Sequence, residues 1–600
     1  MRNRIIRLIA FATAAFCLLS QFAAFAVSPD IIYVDSNTEF AVQTAKIIGE
    51  YDRQAENPSE NSRIIGRALS YDFDFCSYGA EKGVIGKDGR FFLQFKNENS
   101  AQKCLDALNS DPDIAYAEPD GVISVSSDEA ESSGGNLSWG VEAIGADKYS
   151  EHLSKSETDR SVTVAVIDSG IASIDYLKGR IVDGYDFVDN DADPSGDTST
   201  DSHGTFIASI IADCTKDAPI YIMPVRILSS KTALISNAVN GIYYAVDNGA
   251  QVLNLSFGGT LSGSNCKSLD EALAYADSKN VSVVVSAGNE GIDTKGYCPA
   301  HNISAITVTS VYENLSFANG YSNFGNEVDL CAPGMNIVGY SASGATKKMG
   351  GTSMAAGFIS ASAALFRLDH PECNTLQTQE ALKKSCSDLG NEGFDIYYGY
   401  GIPQLDRFIT DETVYAEGIG ISESNVSLIA GETKALTAEV MPADTSNKAV
   451  KWTSSNPDAV TVSESGVLTA VDEGSSVITA ESVDGGYTAQ AEITVIGHSA
   501  PPCVVSIRVV SPPDKKVYIY KSGDEIKLDG LELEAVYSDG SKKAVTPVQE
   551  ITVSGFSTSS VGEKPVTVEY GGCTASFNIT VEYAWWQWII RILLLGFLWY

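Results

Sequence analysis

The stretches Val162 to Ile167, Val252 to Leu255 and Val281 to Val285 are short, nearly continuous apolar runs that stop abruptly at Asp168, Ser256 and Ser286. A strand with one wet face alternates apolar and polar residues, whereas a run apolar on both faces belongs inside a parallel sheet covered by helices. Helical patterns at Ser236 to Asn248 and Leu269 to Lys279 supply the crossovers that parallel strands require. The middle of the chain is therefore expected to be α/β. In open sheets of this kind chemistry gathers beyond the carboxyl ends of the strands, so the residues just after each run are the first candidates for function.

The rest of the 600 residues is arranged around this centre. At roughly 150 residues per domain the length suggests about four domains. Arg2, Arg4 and Arg7 precede an apolar stretch that closes on Ala24-Phe25-Ala26, the pattern of a secretory signal over residues 1–26. Residues 27–126 combine apolar runs such as Phe91 to Phe95 with a helical pattern at Ala101 to Leu108, which reads as a small α+β module. Residues 127–136, rich in Ser, Gly and acid, read as an exposed linker to the α/β region over 137–408. Beyond it, Val, Ile and Thr alternate with polar residues between Gly, Asp and Asn turns, which predicts two β-sandwiches over 415–496 and 503–582. The tail, 584–600, sets Trp585, Trp586, Trp588 and Trp599 around an aliphatic block, a membrane-interface pattern. That block falls short of the roughly 20 residues that span a bilayer and contains Arg591, so anchoring and a packed or self-associating tail both stay open.

Lys and Arg number 41 against 77 Asp and Glu, a net charge of −36 with no basic run to offset it. Nucleic acid is disfavoured as a partner. Export would expose the cysteines to oxidation, and they fall in three groups: Cys76 and Cys104; Cys214, Cys266, Cys298, Cys331, Cys373 and Cys386; Cys503 and Cys573. Each group is able to close its own bridges, and the pairing within the central six is open. No Cys-x-x-Cys occurs and no His stands at ligand spacing, which argues against zinc.

Three segments carry the chemistry: Ala165 to Gly170 around Asp168, Asp201 to Thr205 around His203, and Gly350 to Ala355 around Ser353. Acyl transfer needs a hydroxyl made nucleophilic by an imidazole, and an acid that fixes the imidazole's tautomer and stabilises its cation. With the sequence around each residue, and Ser286-Ala287-Gly288-Asn289 between them, residues 137 to 408 resemble the subtilisin-like serine proteases, or subtilases. The resemblance implies an endopeptidase that works through an acyl-enzyme. Asp168 would orient the base, His203 would be the general base and acid, Ser353 the nucleophile, and Asn289 with the backbone N–H of Ser353 the oxyanion donors. Ser256, Phe257 and Gly258 match the edge that pairs with extended substrate. Ala287, Gly288 and Gly296 with Tyr297 would line the pocket for the side chain before the scissile bond, giving an uncharged, apolar preference that Cys298 beside it blurs.

The resemblance extends outward. Asp113 to Asp120 is similar to the end of an inhibitory subtilase propeptide, a ferredoxin-like chaperone, which implies a self-processing zymogen cut between about Val125 and Asn136. The expected partners are protein or peptide substrates and the chain's own propeptide. Residues 450–456 and 466–470 resemble a bacterial Ig-like group 2 repeat, and 537–541 with 570–572 a second bacterial Ig-like family, suited to a cell-surface ligand. The chemistry requires no cofactor. The family's high-affinity calcium loop is missing, while Asp186 to Asp193 offers hard oxygen ligands for a structural calcium or forms a solvated acidic loop. Phe206-Ile207-Ala208-Ser209 departs from the family's usual His-Val-Ala-Gly. Two rival readings stay open: an adhesin whose protease-like domain binds without cutting, and a structural protein whose only target is itself.

Overall fold

The computed structural model describes residues 31–54, 62–70, 78–125, 127–130, 139–155, 159–196, 202–260, 266–497, 502–546 and 551–597. The signal segment 1–26, Cys76, Asp201 and the stretch 131–136 lie outside them.

The three apolar runs become the strands Val162–Asp168, Val252–Leu255 and Ser282–Ser286 of a seven-stranded sheet. Across the sheet the order is Leu330–Pro333, Ile306–Val311, Ser282–Ser286, Val252–Leu255, Val162–Asp168, Ile220–Arg226 and Tyr185–Asp186, and every pairing is parallel. Alternate residues of the central strand feed two cores. Val164 and Val166 join one that contains Ile207, Ile210, Phe358 and Ile359; Ala165 and Ile167 join the other, with Ile235, Ile242, Leu269 and Leu273. Helices His203–Cys214 and Thr352–Asp369 thus cover one face, and Ile235–Asp247 and Lys267–Ser278 the other. Such double coverage is why both faces of the strands read as apolar.

The N-terminal module is a five-stranded sheet ordered Ile31–Val34, Lys82–Gly86, Arg90–Gln94, Arg63–Ala68 and Ile114–Pro119, with helices Asn37–Gln54 and Glu98–Leu108. Its Phe40, Ile65 and Phe92 enter the second core of the α/β region, so the module is seated on the helices Ile235–Asp247 and Lys267–Ser278.

The exposed linker expected over 127–136 is corrected at its start. Asp128–Ala130 is a strand paired antiparallel with Lys348–Gly350, because those backbone groups find partners at the cleft edge.

Residues 416 onward form two β-rich units. The first pairs Asn425–Ile429, Thr488–Ile496, Gly474–Ser482 and Val450–Ser454 over a second layer of Thr433–Ala435, Val467–Ala470 and Val460–Val462. The second sets Val504–Ser511, Glu532–Tyr537 and Lys542–Val545 against Val517–Ile519, Cys573–Glu582, Gly562–Tyr570 and Thr552–Ser554. The first joins the α/β region through Gln377, whose side-chain amide donates to the Ala416 carbonyl at 2.7 Å and to Asp484 at 3.0 Å.

Among the described residues one disulfide is formed, Cys266 to Cys298. The central group thus closes one bridge of its own, with Cys214, Cys331, Cys373 and Cys386 outside it; the late pair is corrected, since Cys503 and Cys573 are not bonded, and the early pair is not settled because Cys76 lies outside the described residues.

Candidate active site

Asp168 is the last residue of the central strand and is fully buried. His203 opens the helix His203–Cys214, and its Nδ1 lies 2.9 Å from both Asp168 carboxylate oxygens. Gly204 permits this approach: a side chain there would come within 2.4 Å of the Gly170 carbonyl. The Ser169 N–H donates to Asp168 Oδ1 at 2.7 Å, which further fixes the carboxylate. A buried carboxylate against Nδ1 holds the proton on that nitrogen and turns Nε2 into the basic end of the ring.

Ser353 lies in the first turn of the helix Thr352–Asp369, and its hydroxyl donates to the Ser256 carbonyl at 3.2 Å. The sheet register sets Leu255 beside Ile167, so Ser256 and Asp168 stand level at the carboxyl edge. Helix and strand ends thereby bring a hydroxyl and an Asp–His pair to one rim. The helix N-terminus adds a partial positive charge there.

Asn289 is held from behind. Its side-chain oxygen accepts from the Thr352 N–H at 2.9 Å and from the Thr352 hydroxyl at 3.0 Å. A backbone N–H can be met only by the amide oxygen, so the two ends of the Asn289 side chain are fixed in place.

The edge Ser256, Phe257 and Gly258 is occupied by the chain's own N-terminal module. Ser124 exchanges two backbone hydrogen bonds with Gly258, each 2.9 Å, and Val122–Ser124 pairs on its other side with Thr232–Leu234. Beyond Ser353, Asp128 pairs with Gly350. The described residues therefore approach the nucleophile from both sides.

Two carboxylates of the same module cap helices of the α/β region. Glu118 accepts from the N–H groups of Lys267 at 3.0 Å and Ser268 at 2.9 Å, at the start of Lys267–Ser278. Asp120 accepts from the N–H and hydroxyl of Ser236 at 2.8 and 2.7 Å, at the start of Ile235–Asp247. Each satisfies orphan donors at a helix N-terminus, where negative charge is favoured. Burial pushes the Glu118 carboxyl above its ordinary value, and these hydrogen bonds pull the other way. Sequence reasoning misses this role, although Tyr116, Glu118 and Asp120 recur at every second position and so share one face of the strand. Tyr116 uses it too, donating to Glu271 at 2.8 Å.

Of the pocket residues, Ala287 and Gly288 are buried and Gly296 is exposed, with open space where its side chain would be. It is Tyr297 that reaches between Gly258 and Gly288. In the acidic loop, Arg226 bridges Asp186 at 2.6 Å and Asp189 at 2.5 Å, and Asp186 Oδ1 caps the N–H groups of Val188 and Asp189. These two carboxylates are neutralised within the chain and do not fit a calcium cradle. Phe206 is fully buried and stands against Gly339, whose missing side chain makes room for the added bulk.

The subtilase family pattern matches residues 159–401, and bacterial Ig-like patterns of group 2 and group 3 match 416–493 and 510–581. The chain is 33% identical to subtilisin amylosacchariticus of Bacillus subtilis subsp. amylosacchariticus, over 58% of this chain and 90% of that protein. It is 31% identical to a thermophilic serine proteinase of Bacillus sp. (strain AK1), over 50% of this chain and 74% of the other. With thermitase of Thermoactinomyces vulgaris the identity is 37%, over 34% of this chain and 73% of that one. Relatedness of this extent over most of each enzyme's length places the chain in the subtilase family of serine peptidases.

Proposed function

We propose that this chain is a secreted endopeptidase, made as a zymogen that cuts itself, with Asp168, His203 and Ser353 as the triad and Asn289 as an oxyanion donor. The observation that carries the reading is His203 Nδ1 at 2.9 Å from the buried Asp168 on the same rim as Ser353. In the reaction His203 Nε2 takes the Ser353 proton as Oγ attacks the peptide carbonyl, and returns it to the leaving amine. Negative charge on the carbonyl oxygen is met by the Asn289 amide and the Ser353 N–H. Water then attacks the ester with His203 again as base. No cofactor enters these steps.

The pairing of Val122–Ser124 and of Asp128–Ala130 along the cleft supports self-cleavage. Ser124 forms an antiparallel bridge with Gly258, two residues from Ser256, the partner of the Ser353 hydroxyl, and Asp128 pairs with Gly350 on the other side of Ser353. The bond to be cut is therefore put between Val125 and Asp128, the described residues that flank the rim. Incubating the exported chain at neutral pH is expected to yield a mature N-terminus within residues 126–128, and one equivalent of a fluorophosphonate probe is expected on Ser353. An enzyme that takes no probe after losing the N-terminal module would be the binding-only adhesin of the rival reading.

Surface attachment is the finer proposal for the tail. Helix Trp585–Phe597 carries exposed Trp585, Trp588, Ile589, Ile592, Leu593 and Leu594, while Gln587 and Arg591 bond to Tyr520 and Tyr583 of the neighbouring sandwich. A contiguous exposed apolar surface of this kind marks a protein or membrane contact. No described helix is long and apolar enough to cross a membrane, which favours lying within the lipid interface. Truncation after Tyr583 is expected to move the protein from the cell pellet to the medium with peptidase activity intact. Equal release of both forms would remove the anchoring role.

A further inference from the structure

We infer that Tyr297 fills the pocket for the side chain preceding the scissile bond, so that this enzyme cuts after small residues, Gly, Ala or Ser. The inference rests on the peptidase reading above and narrows its substrate class. The pocket has two walls, the edge Ser256 to Gly258 and the segment Ala287–Gly288, and each wall presents a glycine. A methyl group placed on Gly258 would stand 2.4 Å from Tyr297 Cε1, and one placed on Gly288 would stand 2.6 Å from the same atom. One ring edge thus lies against both walls at once. The space in which a large substrate side chain would rest is taken by the phenol.

The ring is held there by its surroundings. Tyr297 is only 4% exposed, and its hydroxyl donates to Glu290 Oε1 at 3.2 Å. Its backbone pairs with Thr260, and the next residue, Cys298, pairs with Gly259 and is bonded to Cys266. The His301 N–H donates to the Tyr297 carbonyl at 3.0 Å. Backing the ring out of the pocket would strand the phenol and break packing on both walls, which close-packed interiors resist. Wall composition alone points to an uncharged, apolar preference; the structure adds a size limit.

A single methylene in an apolar pocket changes kcat/KM by about 10–200-fold, so excluding a whole aromatic side chain has a large readout. The test uses the matured full chain and a peptide series that differs only in the residue before the cut. Working sites are counted by fluorophosphonate labelling in each preparation. The wild type is expected to favour Ala or Ser over Phe and Leu by at least about 100-fold in kcat/KM. Tyr297→Ala should raise the Phe value by about 100-fold with the Ala value changed only severalfold, while Tyr297→Phe, which keeps the ring, should retain the wild-type order. Labelled wild type that cuts after Phe as fast as after Ala overturns the inference and leaves the peptidase reading standing, and that outcome needs no variant to fold. A preparation that takes no label defeats the peptidase reading, and the inference with it.

Discussion

The exported chain carrying Ser353→Ala is expected to stay uncut, with its self-cleavage rate lowered by about 10⁶, the scale seen when a subtilisin triad loses its nucleophile. On the proposed mechanism Ser353 supplies the oxygen that the Asp168–His203 pair activates, at the rim where Ser124 and Asp128 approach from opposite sides. Removing it leaves binding and oxyanion stabilisation without a covalent route. Asp168→Asn should cost about 10⁴, because an amide presents the wrong partner to Nδ1 and favours the wrong tautomer. The double variant is expected to be no slower than Ser353→Ala alone, since residues that act as a unit do not add. Mass spectrometry of the purified chains over days separates these cases. A Ser353→Ala protein that still matures in a protease-free background would show that another enzyme cuts it.

That result bears on the N-terminal module as well as on the triad. Glu118 and Asp120 reach the N-termini of two helices that flank the sheet, and Val122–Ser124 occupies the recognition edge. The same segment therefore completes helix ends of the α/β region and, on the zymogen reading, blocks its cleft. A cut between Val125 and Asn136, as the zymogen reading proposes, would leave all of these contacts on the departing piece, so cleavage alone would not free the edge. Activity is expected to lag behind the appearance of the new N-terminus.

Much of this was legible in the chain itself, for identifiable reasons. Strands buried on both faces announce themselves as apolar runs, and Asp168 follows one of them directly, so the sheet and its carboxyl edge were legible in the sequence. The helix Thr352–Asp369 runs longer than the Met354 to Leu365 pattern because its C-terminal turns remain buried through Leu368. What was not legible depends on pairing between distant segments. Asp128–Ala130 has the composition of a linker, and only the free edge at Lys348–Gly350 makes it a strand. Gly296 and Tyr297 are neighbours in sequence, yet one is exposed and the other buried between two glycines, a distinction set by the turn Thr294–Gly296. The acidic run 186–193 looks like a cation site until Arg226, forty residues on, is seen to bridge Asp186 and Asp189.

Replacing Asn289 with alanine is expected to lower kcat by about 10²–10³ and to leave KM nearly unchanged, the range found for the oxyanion donor of subtilisin. The split follows from when the interaction forms. A donor aimed at the position of the tetrahedral oxygen is worth little to a neutral carbonyl and much to an alkoxide, so its loss appears in turnover and not in binding. Asn289 is suited to this because it is not free to turn: Thr352, the residue before the nucleophile, holds the amide oxygen through both its N–H and its hydroxyl. Donor and nucleophile are thus tied to the same helix start, and neither has to reorganise as charge develops. Steady-state kinetics on one small-residue peptide, with sites counted by fluorophosphonate, provides the measurement. A variant that raised KM and kept kcat would make Asn289 a substrate-binding group, and the second donor of the anion would have to be sought elsewhere on the rim.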